Sequence, residues 1–211
     1  AIDEKANIIR PDILMCIFLP YVVSKGETVV YDVKCSKSLE MMIKNNGSIP
    51  EMYKTGHSLI KNKMLDTKSK FGGEMSGHIF FADRYYGYDD GIYVSLRLIE
   101  LLSRSKESLS EHLLNIPTFI STPEIRLNCE NDQIKFEIVE NVISYFKKRF
   151  RCNLIDGVRI EFESGWGLIR SSNTQPVIVC RFEADNQDNL NKIKKLVFDK
   201  IQEYGDIKIE F

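Results

Sequence analysis

The sequence predicts two consecutive domains of different class. Residues 1–121 read as an α/β domain of βαβ units, with a mixed, mostly parallel sheet and helices on both faces. Residues 122–211 read as an α+β domain, a mainly antiparallel sheet with two helices on one face. Three observations lead there. In the first half, two β-branched or apolar runs are each followed at once by helical spacing. In the second half, strands and helices no longer alternate strictly. Between the halves, Ile116-Pro117 and Thr122-Pro123 bias the residue before each proline toward extended backbone, which predicts a stiff linker.

Taken in order, residues 1–10 form a polar turn running into Ile8-Ile9, like the second arm of a hairpin whose first arm is missing. From Pro11 to Val23 the apolar residues are nearly continuous, as in a buried helix that Pro20 bends or ends. Residues 28–33 are a strand, and Ser36 is the expected N-cap of a helix through Met41, Met42 and Ile43 that Asn46-Gly47 stops. Residues 49–53 make a second strand, followed after Gly56-His57 by a helix through Ile60, Met64 and Leu65. Ile79-Phe80-Phe81 reads as a buried strand, residues 84–91 as an aromatic and acidic turn, and residues 92–102 as an amphipathic helix.

Beyond the prolines, residues 124–129 alternate like a half-buried strand, and Ile134, Ile138, Val142 and Phe146 recur at helical spacing. The cations Lys147, Lys148, Arg149 and Arg151 complement that helix terminus, or form a basic patch. Residues 156–162 and 176–182 are strands, Leu190, Ile193, Val197 and Ile201 line a second helix, and residues 207–211 close with a strand.

Composition narrows the partners. A length of 211 residues suits two ordinary domains, and 43% hydrophobic with 28% charged residues is the balance of a globular protein. No apolar stretch is long enough to cross a bilayer, and no leader is expected, because Asp3, Glu4 and Lys5 stand where a basic one would begin. With 29 Lys and Arg against 30 Asp and Glu, broad attraction to nucleic acid or anionic membrane is not expected. Five scattered cysteines without a Cys-x-x-Cys predict neither a zinc ribbon nor a disulfide framework, and fit a reducing cytoplasm.

Two polar segments carry candidate chemistry. Gly72-Gly73-Glu74-Met75-Ser76-Gly77-His78 places a carboxylate, a hydroxyl and an imidazole among glycines, whose positive φ and close backbone approach would hold all three at one rim. Such a rim suits a polyhydroxylated ligand: carboxylate oxygens accept from sugar hydroxyls, and histidine passes protons near neutral pH. The same segment also reads as a hairpin turn that merely meets water. Lys34 and His57 fall after the first two strands, where ligands gather in open α/β sheets. Asp89 and Asp90 read as a helix-capping pair, or less simply as metal ligands. Residues 165–176 form the second segment, a polar loop whose Arg170, Ser171, Ser172, Asn173 and Thr174 could surround an oxyanion or serve as turn formers.

Together, and in this order, residues 32–36, 54–58, 73–78, 89–91 and 170–174 resemble motifs of the α-D-phosphohexomutase (phosphomannomutase/phosphoglucomutase) family. The likeness covers nearly all of the chain but only the third and fourth of the family's four domains. It implies that Glu74 and Ser76 bind ring hydroxyls, that Lys34 and His57 line the cleft, and that His78 assists proton transfer, with His78 and Lys34 as the catalytic candidates. It implies further that Arg170, Ser172, Asn173 and Thr174 hold the phosphate that is not transferred. The resemblance also implies a hexose phosphate substrate, a sugar bisphosphate as intermediate and activator, and Mg2+ in the intact enzyme. The family's phosphoserine loop and its Asp-x-Asp-x-Asp-Arg magnesium loop do not occur in these residues. A fragment without metal ligands, lacking its N-terminal domains and inactive alone, is therefore expected. The alternative from another class is a non-catalytic sugar-phosphate-binding module.

Overall fold

The computed structural model describes residues 1–172 and 174–207. The chain divides into two compact units, Ala1–Thr118 and Phe119–Phe211.

In the first unit Ile2 pairs with Ile8 across a short turn. Asp3 stitches its turn by accepting from the backbone N–H groups of Lys5 and Asn7. Helix α1 (Pro11–Val22) begins on a proline, where the missing N–H costs nothing. It runs through Pro20, which sits exposed in its last turn. Strand β1 (Thr28–Asp32) leads into α2 (Lys37–Asn45), whose first turn is capped by the Ser36 hydroxyl accepting from Ser38 N–H. Strand β2 (Ile49–Tyr53) leads into α3 (His57–Thr67), β3 (Phe71–Gly73) turns back into β4 (Ile79–Phe81), and α4 (Gly91–Arg104) follows.

The sheet order is β2-β1-β3-β4, with the first three strands parallel and β4 antiparallel. Alternation along β1 builds a core on each face. Val29 and Tyr31 pack with α1 and α2, whereas Val30 packs with Ile60 and Met64 of α3. Phe71 and Phe81 join Phe18 in the larger core as an aromatic cluster, with ring centroids 5.1–6.1 Å apart.

Gly72 and Gly73 are strand residues, and of the glycines in that segment only Gly77 takes a positive φ, +109°. Their role is close approach. A Cβ on Gly72 would lie 2.7 Å from the Val30 carbonyl oxygen and 2.8 Å from Met64 Sδ; on Gly73 it would lie 2.9 Å from Met15 Sδ.

In the second unit, β5 (Ile120–Ser121), β6 (Ile125–Asn128), α5 (Asp132–Phe146), β7 (Arg151–Asn153), β8 (Val158–Phe162), β9 (Gly165–Ser171), β10 (Val177–Ala184) and α6 (Gln187–Tyr204) follow one another. The six-stranded antiparallel sheet runs β5-β10-β9-β8-β7, with β6 also on β10. Ile160, Ile169, Ile178, Cys180 and Phe182 pack from the sheet against Ile138 and Val142 of α5 and Ile193 and Val197 of α6. Four strands lie where none was expected: β3 at the start of the glycine-flanked segment, β5 within the proline linker, β7 after α5, and β9 in the first half of the polar segment 165–176. The expected closing strand at 207–211 falls outside the described residues apart from Ile207, which is buried.

Candidate functional site

The first group of polar side chains forms where three parallel strands end. Each of β1, β2 and β3 delivers its carboxyl-terminal loop to the same edge of the sheet, bringing in Asp32 and Lys34, then Thr55 to His57, then Glu74 to His78. Residues 74–78 are the turn of the β3–β4 hairpin, closed by Glu74 N–H donating to the His78 carbonyl at 2.8 Å and Gly77 N–H donating to the Glu74 carbonyl at 3.1 Å. The hairpin-turn and rim readings of this segment are thus compatible.

Glu74 is 2% exposed, and one of its carboxylate oxygens accepts from the Gly56 N–H at 2.7 Å. Burial pushes its carboxyl above the usual range; the Gly56 N–H opposes this, Asp32 adds to it, and His78 and Lys34 oppose it. These four neighbours surround the carboxylate from all three strand ends. Lys34 is itself buried, at 7% exposure. The rings of His57 and His78 stand 5.6 Å apart, and His78 Nδ1 lies 2.6 Å from an Asp89 carboxylate oxygen. Ser76 is exposed at the tip of the turn.

Asp32, which sequence reading passed over, braces this edge. Fully buried, it accepts from Cys35 Sγ–H at 3.0 Å, from the Thr55 hydroxyl at 3.3 Å and from Met75 N–H at 3.2 Å. One carboxylate so ties together the loops after β1, β2 and β3. A signal existed: an aspartate terminating an otherwise apolar strand contradicts the local pattern, as residues at sites often do. Asp12 does similar work from α1, accepting Ser36 N–H at 2.8 Å and pairing with Arg10 at 3.2 Å.

In the second unit, Arg170 stands near the end of β9 opposite Val179, with its Nε 3.0 Å from an Asp156 carboxylate oxygen. Gly157, at φ +73°, lets the preceding turn lie against β9; a Cβ there would lie 2.2 Å from the Ile169 carbonyl oxygen. Ser172 is buried and its N–H donates to the Val177 carbonyl, while Thr174 is exposed and its N–H donates to the Ser172 hydroxyl at 3.4 Å. Asn173 lies outside the described residues.

Beneath this turn sits Lys135, 2% exposed, whose ammonium donates to Asp132 at 2.6 Å and to the carbonyls of Ser172 at 2.8 Å and Gln175 at 3.1 Å. Three donors meet three acceptors, so the buried charge is compensated. Sequence reading missed it too. Lys135 shares the buried stripe of Val139, Val142 and Phe146, and a lysine in such a stripe was the available sign.

Metal ligation does not fit these residues. Among the described residues no three or more His, Cys, Asp or Glu side chains converge as ligands. The adjacent acids have other partners: Asp90 caps α4 by accepting Tyr93 N–H at 3.0 Å and takes the Tyr85 hydroxyl at 2.7 Å, while Asp89 faces His78. No helix among the described residues is long and apolar enough to cross a membrane.

Residues 10–119 match the family profile described as phosphoglucomutase/phosphomannomutase, alpha/beta/alpha domain III, and residues 124–200 match that of the phosphoglucomutase/phosphomannomutase C-terminal domain. A phosphomannomutase/phosphoglucomutase of Pseudomonas aeruginosa is 45% identical over 197 residues, covering 92% of this chain and 42% of that protein. A phosphoglucomutase/phosphomannomutase family protein of Burkholderia thailandensis, known from its crystal structure, is similar at a TM-score of 0.87 and 38% identity, over 96% of this chain and 43% of that one. The N-acetylphosphoglucosamine mutase of Aspergillus fumigatus, solved in complex with GlcNAc-6P and magnesium, shares the fold at a TM-score of 0.69 and 15% identity, over 97% of this chain and 46% of that one. The chain spans about two fifths of the length of the P. aeruginosa relative. With both halves matched in order, the chain belongs to the phosphoglucomutase/phosphomannomutase family, of which it carries domain III and the C-terminal domain.

Proposed function

We propose that the chain is the recognition half of a phosphohexomutase, an isomerase that interconverts the 1- and 6-phosphates of glucose or mannose through a bisphosphorylated sugar. The observation that carries this reading is the convergence of Glu74, Lys34, His57 and His78 around three strand ends.

One Glu74 oxygen is fixed by the Gly56 N–H, and the other accepts from a ring hydroxyl. Ser76 supplies a second polar contact from the tip of the turn. Lys34 places positive charge beside the carboxylate and toward the ligand's phosphate, and His78 exchanges a proton with the reacting hydroxyl. In the second unit Arg170, Ser172, Asn173 and Thr174 bind the phosphate that is not transferred, a bidentate guanidinium contact completed by hydroxyl, amide and backbone donors. Lys135 and Asp156 hold that turn and that guanidinium in place.

Magnesium, which these residues do not fit, and the phosphoryl-donating serine belong in this reading to the rest of the enzyme, a cytoplasmic protein. Without them charge neutralisation and in-line positioning are lacking, so the 211 residues alone bind without turnover. Titration calorimetry with glucose 1-phosphate tests the reading. Weak binding, about millimolar, that both Glu74→Ala and Arg170→Ala abolish supports it. Binding left equal to the parent's in either variant overturns that residue's role.

A further inference from the structure

We infer that Asp89 is a positioning residue for His78, fixing which imidazole nitrogen meets the ligand. The inference rests on the functional reading above only in what the free nitrogen is for; the pairing stands on geometry.

Asp89 and Asp90 are adjacent yet serve different partners. Asp90 is taken up by the start of α4 and by Tyr85, as an N-cap should be. Asp89 turns instead to a residue of another element: His78, the last residue of the β3–β4 turn, whose Nδ1 it meets at 2.6 Å. That is a close contact, slightly shorter than the roughly 2.7–2.9 Å usual for an N–H···O hydrogen bond to a charged group. Because a carboxylate can only accept, the proton must sit on Nδ1, and the neutral ring presents Nε2 as a lone-pair acceptor. The backbone that carries the ring is held on both sides, since the His78 carbonyl accepts from Glu74 N–H across the turn and Ile79 enters β4 directly after it.

The consequence is specific. A ring free to adopt either tautomer offers Nε2 as an acceptor only part of the time; one held by Asp89 offers it always. Once Nε2 has taken a hydroxyl proton, the same carboxylate stabilises the resulting imidazolium. The His78 and Asp89 side chains are 42% and 34% exposed, so the pair is open to a ligand. Solvent will screen it, and orientation is its larger effect.

The test is 15N-resolved NMR of the imidazoles in the 211-residue chain without ligand, at a pH about two units above the usual histidine value of roughly 6.5. The chain has three histidines, so His57 and His112 serve as internal references. In the parent, His78 is expected as the Nδ1–H tautomer; in Asp89→Ala it should shift toward the Nε2–H form that free histidine prefers. Asp90→Ala, which removes the neighbouring cap and leaves Asp89 in place, should not change it. An unchanged His78 signal in Asp89→Ala, or an equal change in Asp90→Ala, overturns the inference. Because the tautomer is read without sugar phosphate, a failed calorimetric test would remove the function assigned to the free nitrogen and leave the pairing standing.

Discussion

Glu74 has its ordinary ionisation opposed by its own burial, with Asp32 adding to the penalty. Its raised pKa has a definite sign in linkage terms. The folded chain holds this proton to higher pH than the unfolded chain, so the carboxyl's contribution is fully present below the usual carboxylate range and is lost as pH rises through the folded value. Glu74→Gln, whose amide oxygen can still accept from Gly56 N–H, should therefore melt at a higher temperature than the parent at pH 7. The difference should close as pH approaches 4; a scan series by calorimetry checks both. The residue that recognises a sugar would thus lower the stability of its own domain, a common trade at functional sites. Lys135 is the opposite case, a buried charge with every donor satisfied. Lys135→Met should strand the Ser172 and Gln175 carbonyls and cost about 2–3 kcal/mol in urea unfolding, together with weaker phosphate binding.

At the scale of elements, a helix packs against each of the two consecutive glycines of β3, α3 reaching Gly72 through Met64 and α1 reaching Gly73 through Met15. Gly72→Ala should cost about 1–3 kcal/mol by overpacking against Met64 and the Val30 carbonyl, read from the urea midpoint. Asp90→Ala should cost about 1 kcal/mol through the lost cap of α4. The helices and β1, β2, β4, β6, β8 and β10 were legible because each shows either its own period or an unbroken apolar run, and most are bounded by a turn or a capping residue. Strand β9 was not. Gly165-Trp166-Gly167 and the polar residues at the end of the segment have the composition of a loop, yet all seven residues of β9 pair with β10 and five of them, 165–169, pair with β8 as well. A central strand is recognised by its partners, and two glycines are tolerated there because Phe182 and the Glu183 and Ala184 backbone press on them. Strands β5 and β7, two and three residues long, are too short to show a period.

On the scale of the whole molecule, the two units have different fold classes, and each matches its own part of one family. The expectation that follows is division of labour: the isolated chain binds hexose phosphate weakly and shows no conversion of glucose 1-phosphate to the 6-phosphate in a coupled assay. Measurable turnover by these 211 residues would show that they hold a complete catalytic apparatus. The sequence by itself determined the class of both units, most of their elements and the candidates Lys34, His57, Glu74, Ser76 and His78, because periodicity, turn chemistry and motif order are local properties of the chain. Only the tertiary structure decided which residues serve those candidates. Asp32 gathering three loops, Lys135 under the 172–175 turn, Asp156 at Arg170 and Asp89 at His78 are contacts between elements. A side chain's partner there depends on where parallel strands end together and which helix face lies beneath a turn, and no spacing along the sequence encodes that meeting.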